Sequence, residues 1–178
     1  MNMKTLTIAA ALIGTALVCA AQAQTKAQNP ANAVNAKDQE FMTEAALGGL
    51  YEVQAGTLAQ QKARTPAIQS YGSMLVQDHG AANAELKTLA ARKGVALPTE
   101  LRADKTKKLE KISNAKDFEA EFVKEVGLND HQTDIALFEK ASRDAKDPDV
   151  KAFAAKTLPT LKAHREHAEG LKKVAQRQ

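Results

Sequence analysis

The stretch Val150-Lys-Ala-Phe153-Ala-Ala-Lys-Thr-Leu-Pro159-Thr-Leu161-Lys-Ala-His164-Arg-Glu-His167-Ala168-Glu-Gly-Leu171-Lys-Lys-Val174 decides how the whole chain is read. Its apolar residues Val150, Phe153, Leu161, Ala168 and Leu171 recur at helical spacing, and His164 falls on the same stripe, where a plain core helix would carry leucine. A polar side chain on a core stripe needs partners. Pro159 lacks an N–H, so it should leave the carbonyl of Ala155 unbonded and bend the helix about one turn before His164.

Working outward, three more long helices are expected. The first runs from Ala36 to Ala63, opened by Asn35 and Asp38, with Phe41, Ala45, Gly48, Glu52, Ala55 and Ala59 at four-three spacing. Gly48-Gly49 costs roughly 2 kcal/mol of helix propensity against alanines, which implies close approach of a neighbouring helix. The second runs from Pro66 to about Lys93, with Thr65 as N-cap and Gly94 as its stop, and its stripe carries Ile68, Gly72, Leu75, His79, Ala82, Leu86 and Leu89. The third should start near Asn114 and carry Phe118, Phe122, Leu128, His131, Ile135 and Phe138 to about Arg143, with Gly127 marking a bulge. Asp147-Pro148 then repeats the device of Thr65-Pro66 and opens the fourth.

The links set the topology. Those at Pro66 and Pro148 are short and demand antiparallel hairpins, whereas the 21 residues Gly94 to Asn114 hold Pro98 and a short helical stretch, Thr99 to Ile112. Helices of this length are about 42 Å long, and such a link can travel back along them. The predicted fold class is all-α: a ferritin-like four-helix bundle whose crossover contains a short helix.

A faint internal repeat supports two hairpins: Pro66-Ala-Ile68-Gln-Ser-Tyr71 resembles Pro148-Asp-Val150-Lys-Ala-Phe153. Glu52 lies 14 residues before Pro66 and His79 13 after it; His131 lies 17 before Pro148 and His164 16 after it. Residues equidistant from a hairpin turn face each other, so Glu52 should pair with His79 and His131 with His164. The pairs sit about 20 and 25 Å from their turns, which brings them together in a bundle about 42 Å tall if the turns lie at opposite ends.

One glutamate and three histidines in a single layer are a ligand set for one transition metal, with Zn, Cu, Fe, Ni and Mn all compatible. Asp78 and Asp130, each next to a histidine, project about 100° round their helices and suit outer partners of the ligands or the surface. His167 falls at the edge of the stripe. The competing reading is a buried hydrogen-bonded layer that only fixes helix register.

Residues 1–23 read as a secretory signal: Lys4, an apolar run from Leu6 to Ala21, then Ala21-Gln22-Ala23, with cleavage before Gln24 and a periplasmic destination. A lipid anchor on Cys19 would need a small residue before it, and Val18 stands there. The mature 155 residues, without cysteine, divide into a tether over 24–35 and one domain over 36–176. No apolar run in them approaches the roughly 20 residues of a membrane span. The formal charge of +4, or +3 without Lys4, is scattered among acids with no stacking aromatics, which argues against nucleic acid. There is no Glu-x-x-His, which argues against a classical di-iron centre, and no Gly-x-Ser-x-Gly elbow.

Gly48-Gly49-Leu50 with Glu52, Asp78-His79, and Thr157-Leu158-Pro159-Thr160-Leu161 with His164 resemble the exported bacterial family classed as a domain of unknown function and often labelled an outer-membrane protein. The resemblance spans roughly Phe41 to Leu171. It implies a ferritin-like bundle in the periplasm and assigns no activity. Two functions therefore stand beside each other: a metal-binding protein, and a non-catalytic envelope or stress-related bundle with a homo-oligomeric or envelope-protein partner.

Overall fold

The structure is a computed structural model that describes residues 34–175; the signal sequence, Cys19 and nearly all of the tether lie outside the described residues. Helix α1 (Ala36–Lys62) begins where Asn35 Oδ1 accepts the amides of Lys37 and Asp38 at 2.9 and 3.1 Å. Helix α2 (Pro66–Lys93) takes Pro66 as its first residue and ends at Gly94, whose φ of 69° is the left-handed C-terminal conformation that glycine adopts without strain. The crossover carries α3 (Ala103–Ser113). Helix α4 (Phe118–Phe122) continues through a π-helical segment (Val123–Asp130) into α5 (His131–Asp144), and α6 (Pro148–Ala175) runs on through Pro159.

Three local expectations need correction. Thr65 does not cap α2 with its side chain, because its hydroxyl donates to Glu119 at 2.6 Å. The third long helix starts at Phe118 rather than near Asn114: Asp117 accepts the Ala120 amide, while Asn114 follows the end of α3. The crossover helix begins at Ala103 rather than Thr99, since Pro98 and the residues after it form the loop.

Long-range contacts fix the helix directions. Asp38, in the first turn of α1, accepts the amides of Lys146 and Asp147 in the α5–α6 turn at 2.9 and 2.7 Å. Glu119, in α4, accepts the amides of Arg64 and Thr65 in the α1–α2 turn at 2.5 and 2.7 Å. The start of each hairpin thus meets the turn of the other, so the turns lie at opposite ends and α2 runs parallel to α5. This is the expected crossover topology.

Glycines let the helices close in. A Cβ on Gly56 would meet the Gly72 carbonyl at 2.5 Å, and one on Gly127 would meet Ala168 Cβ at 2.6 Å. At Gly49 the expected neighbour is Asn83, 2.1 Å from a would-be Cβ. The apolar core falls into two clusters, one around Met42, Phe41, Leu86, Phe138 and Phe153, the other around Tyr51, Tyr71, Leu75, Ile112 and Phe122. Between them lies a layer of buried polar side chains.

Candidate metal centre

That layer consists of Glu52 on α1, His79 on α2, His131 on α5 and His164 on α6, all buried. One side chain comes from each long helix, at the height that counting from the prolines predicts. Glu52 Oε2 lies 2.9 Å from His79 Nδ1, and His131 Nε2 lies 3.2 Å from His164 Nδ1, so both expected pairs form. Glu52 Oε1 also lies 3.1 Å from His131 Nδ1. Neither glutamate contact is aligned as a hydrogen bond, and the carboxylate is held mainly by charge. Burial opposes its ionisation, but the positive charge that His79 and His131 bear when protonated outweighs that and brings its pKa down to about 2.

The outer contacts choose the tautomers. His131 Nδ1 is 2.9 Å from the carbonyl of Val126, which can only accept, so this nitrogen carries a proton and Nε2 is the nitrogen turned towards His164. His164 Nε2 donates to Asp78 Oδ2 at 2.8 Å, leaving the lone pair on Nδ1. His79 Nδ1 faces Glu52, and its Nε2 is buried without a hydrogen-bond partner. Burial, with His79 and His131 beside it, lowers the His164 pKa to about 4, so the ring is neutral near pH 7.

His131 Nε2 and His164 Nδ1 therefore face each other in a hydrogen-bonding contact of 3.2 Å, while His79 Nε2 is buried without a partner. Since the lone pair of His164 Nδ1 faces His131 Nε2, a cation must lie between the two nitrogens, and both a proton and a metal ion meet that need. Two nitrogens about 2.0–2.1 Å from one tetrahedral ion stand about 3.3–3.4 Å apart, close to the spacing of His131 and His164. One ring nitrogen from each of His79, His131 and His164 lies within 4.8 Å of the others. The donor set thus fits a transition metal, and the rings' other nitrogens have the carbonyl and carboxylate partners that orient such ligands.

The remaining sequence-predicted residues separate. Asp78 is an outer partner of His164. Asp130 turns away from the rings and pairs with Lys108 at 2.7 Å. His167 is exposed and packs its ring 5.3 Å from Tyr71, away from the three-nitrogen cluster. Glu52 faces the Nδ1 atoms of His79 and His131 rather than the nitrogens that His131 and His164 turn towards each other.

Asp134 is a member of the site that sequence reasoning missed. It lines a cavity of about 20 Å³ with Glu52, His79, Asn83 and Thr157. Burial, and then the charge of Glu52, push its carboxyl well above the usual carboxylate range. Its signal was present: Asp134 is three residues from His131 and stands as far after Glu52 as Pro148 does after Pro66.

The family profile described as "Domain of unknown function (DUF4142)" matches residues 22–171. No curated protein matches the chain. Among solved structures, the Cu(I)-bound form of CopM is similar at a TM-score of 0.65 and 16% identity, covering 76% of this chain and 95% of that one. The apo form of CopM gives 0.65 and 16%, covering 76% and 96%. A DUF305 fragment from Deinococcus radiodurans gives 0.69 and 13%, covering 82% and 99%. At these identities the likeness is one of fold.

Proposed function

Because the chain belongs to the DUF4142 family of unknown function, we propose its role from the site itself: it binds one transition-metal ion through His79, His131 and His164. Glu52 supplies the compensating charge from the outer side of two rings, and Asp78 and the Val126 carbonyl hold the rings in their ligating tautomers. The observation that carries this reading is the convergence of one ring nitrogen from each of three buried histidines within 4.8 Å, two of them 3.2 Å apart. Three imidazole ligands suit Cu, Zn, Ni and Fe better than the oxygen-seeking cations. Copper is the first candidate, since CopM, a protein of similar fold, has Cu(I)-, Cu(II)- and Ag-bound forms.

The setting we propose is the periplasm, reached through the signal sequence of residues 1–23. Among the described residues no helix is long and apolar enough to cross a membrane. The reading is one of holding or sensing metal.

The test is the metal content of untagged protein, purified without chelating resin, beside a His79→Ala/His164→Ala double variant. Near-stoichiometric metal in the first and none in the second is expected. If neither holds metal nor takes it up on titration, the layer is a structural device that fixes helix register.

A further inference from the structure

The three rings are sealed on most sides. Glu52 is 1% exposed, His131 is fully buried, and the carbonyl on His131 belongs to the buried Val126. Apolar clusters close the layer above and below. Of the polar partners of the rings, Asp78 meets solvent: its side chain is 37% exposed, yet Oδ2 lies 2.8 Å from a His164 side chain that is 2% exposed. Asp78 touches bulk water and the buried layer at once.

It sits on the α2–α6 seam, whose antiparallel register is fixed by Asp78 with His164 and by Glu85 with Lys156 at 2.7 Å. One turn on, the same register sets Met74 opposite His167. Met74 is half-buried against the core, and His167 is exposed. Tyr71 ties this level to the site, since its hydroxyl donates to the His164 carbonyl at 3.2 Å. A carboxylate, an imidazole and a thioether thus lie along one seam leading to His164, all of them groups that transition metals accept.

Resting on the metal-binding reading, we propose that Asp78 is the port through which a hydrated transition-metal cation is admitted to the layer. Its carboxylate concentrates the cation at this polar edge of the layer. The His164 ring is the ligand that gives way, because its outer anchor is at the surface while the anchors of His79 and His131 are sealed. The cation then exchanges water for Nδ1 of His164, with Glu52 beneath to compensate its charge. Asp78 acts here as a positioning residue that governs the rate of loading.

The test mixes Cu(II) with untagged protein, as processed by the cell, in a stopped-flow instrument. With two tyrosines and no tryptophan in the chain, and the Tyr71 ring 6.5 Å from His164, quenching of tyrosine fluorescence reports arrival. Asp78→Asn keeps an acceptor for His164 Nε2 but removes the charge. Glu85→Gln removes a charge from the same seam away from the layer. The second-order loading rate should fall roughly ten-fold or more in Asp78→Asn, by less as salt is raised, and stay at the parental rate in Glu85→Gln. Equal rates in Asp78→Asn and parent, or equal slowing in both variants, would overturn the port while leaving the metal site standing. A parent that takes up no Cu(II) would overturn both.

Discussion

At the scale of single residues, the site is decided by which nitrogen of each ring carries the proton. The Val126 carbonyl fixes a proton on Nδ1 of His131, Asp78 takes the one on Nε2 of His164, and Glu52 faces Nδ1 of His79. That geometry predicts a different phenotype for Glu52→Gln than a direct ligand would give. Metal should still bind, with affinity lowered about 10- to 100-fold, as is usual when an outer partner of a ligand is lost. The folded state should lose about 1–3 kcal/mol through the altered buried contacts. Chelator competition and urea denaturation measure the two effects separately, and complete loss of binding would make Glu52 a ligand. The four members of the layer were legible because each is a polar residue on an apolar stripe at a countable distance from a proline. The tautomers were not, because they depend on a backbone carbonyl five residues from His131, brought round by an unusual helical turn. Asp134 was missed because an aspartate on a charged helix attracts no notice until Glu52 is placed beside it.

At the scale of elements, the π-helical segment Val123–Asp130 is the feature that sequence periodicity blurred. Its wider turn presents the Val126 carbonyl to His131 and sets Gly127 against Ala168, one turn from His164. Gly127→Ala should therefore push α6 outward, costing about 1–3 kcal/mol by overpacking and weakening metal binding together. Gly80→Ala, on α2 with nothing within 4 Å of the new methyl, should be neutral or stabilising by up to about 1 kcal/mol. Thermal unfolding of both variants makes the comparison. The turns carry a second prediction. Burial opposes ionisation of Glu119, but hydrogen bonds from the Thr65 hydroxyl and from the Thr65 and Arg64 amides outweigh it and lower its pKa below the ordinary 4.5. A carboxylate with a depressed folded pKa contributes stability above its unfolded value, and that contribution is lost as pH falls through the folded one. Glu119→Gln should thus be destabilising by about 1–3 kcal/mol at pH 7, and its difference from the parent should shrink below about pH 4.5 in denaturant titrations across pH. These caps lay beyond sequence reading, since Glu119 and Asp38 serve turns 54 and 109 residues away. The short-range device did not extend to Thr65, whose hydroxyl goes to Glu119 instead of capping α2.

At the scale of the whole molecule, the bundle is two similar hairpins set turn to opposite end. Pro66 and Pro148 are 82 residues apart, as are the starts of α1 and α4 and the ends of α1 and α5. Glu52 and Asp134 share the same offset and line the same cavity, and Asp38 and Glu119 each close the other hairpin's turn. The first hairpin brings Glu52 and His79 to the layer, and the second brings His131 and His164. A metal bound there joins the hairpins at the point where the apolar core is interrupted. Its binding energy is therefore spent on keeping the hairpins docked. With free metal at about 100 times its dissociation constant, the native state should gain about 2.7 kcal/mol. For a chain of this size that raises the thermal midpoint by roughly 5–10 °C. Calorimetry with and without added Cu(II) checks the shift, which should be absent in the His79→Ala/His164→Ala variant. Limited proteolysis distinguishes the location: protection should extend across both hairpins, because neither alone holds three of the convergent nitrogens. Protection confined to α5 and α6 would instead mean that His131 and His164 bind metal as a local pair, without His79.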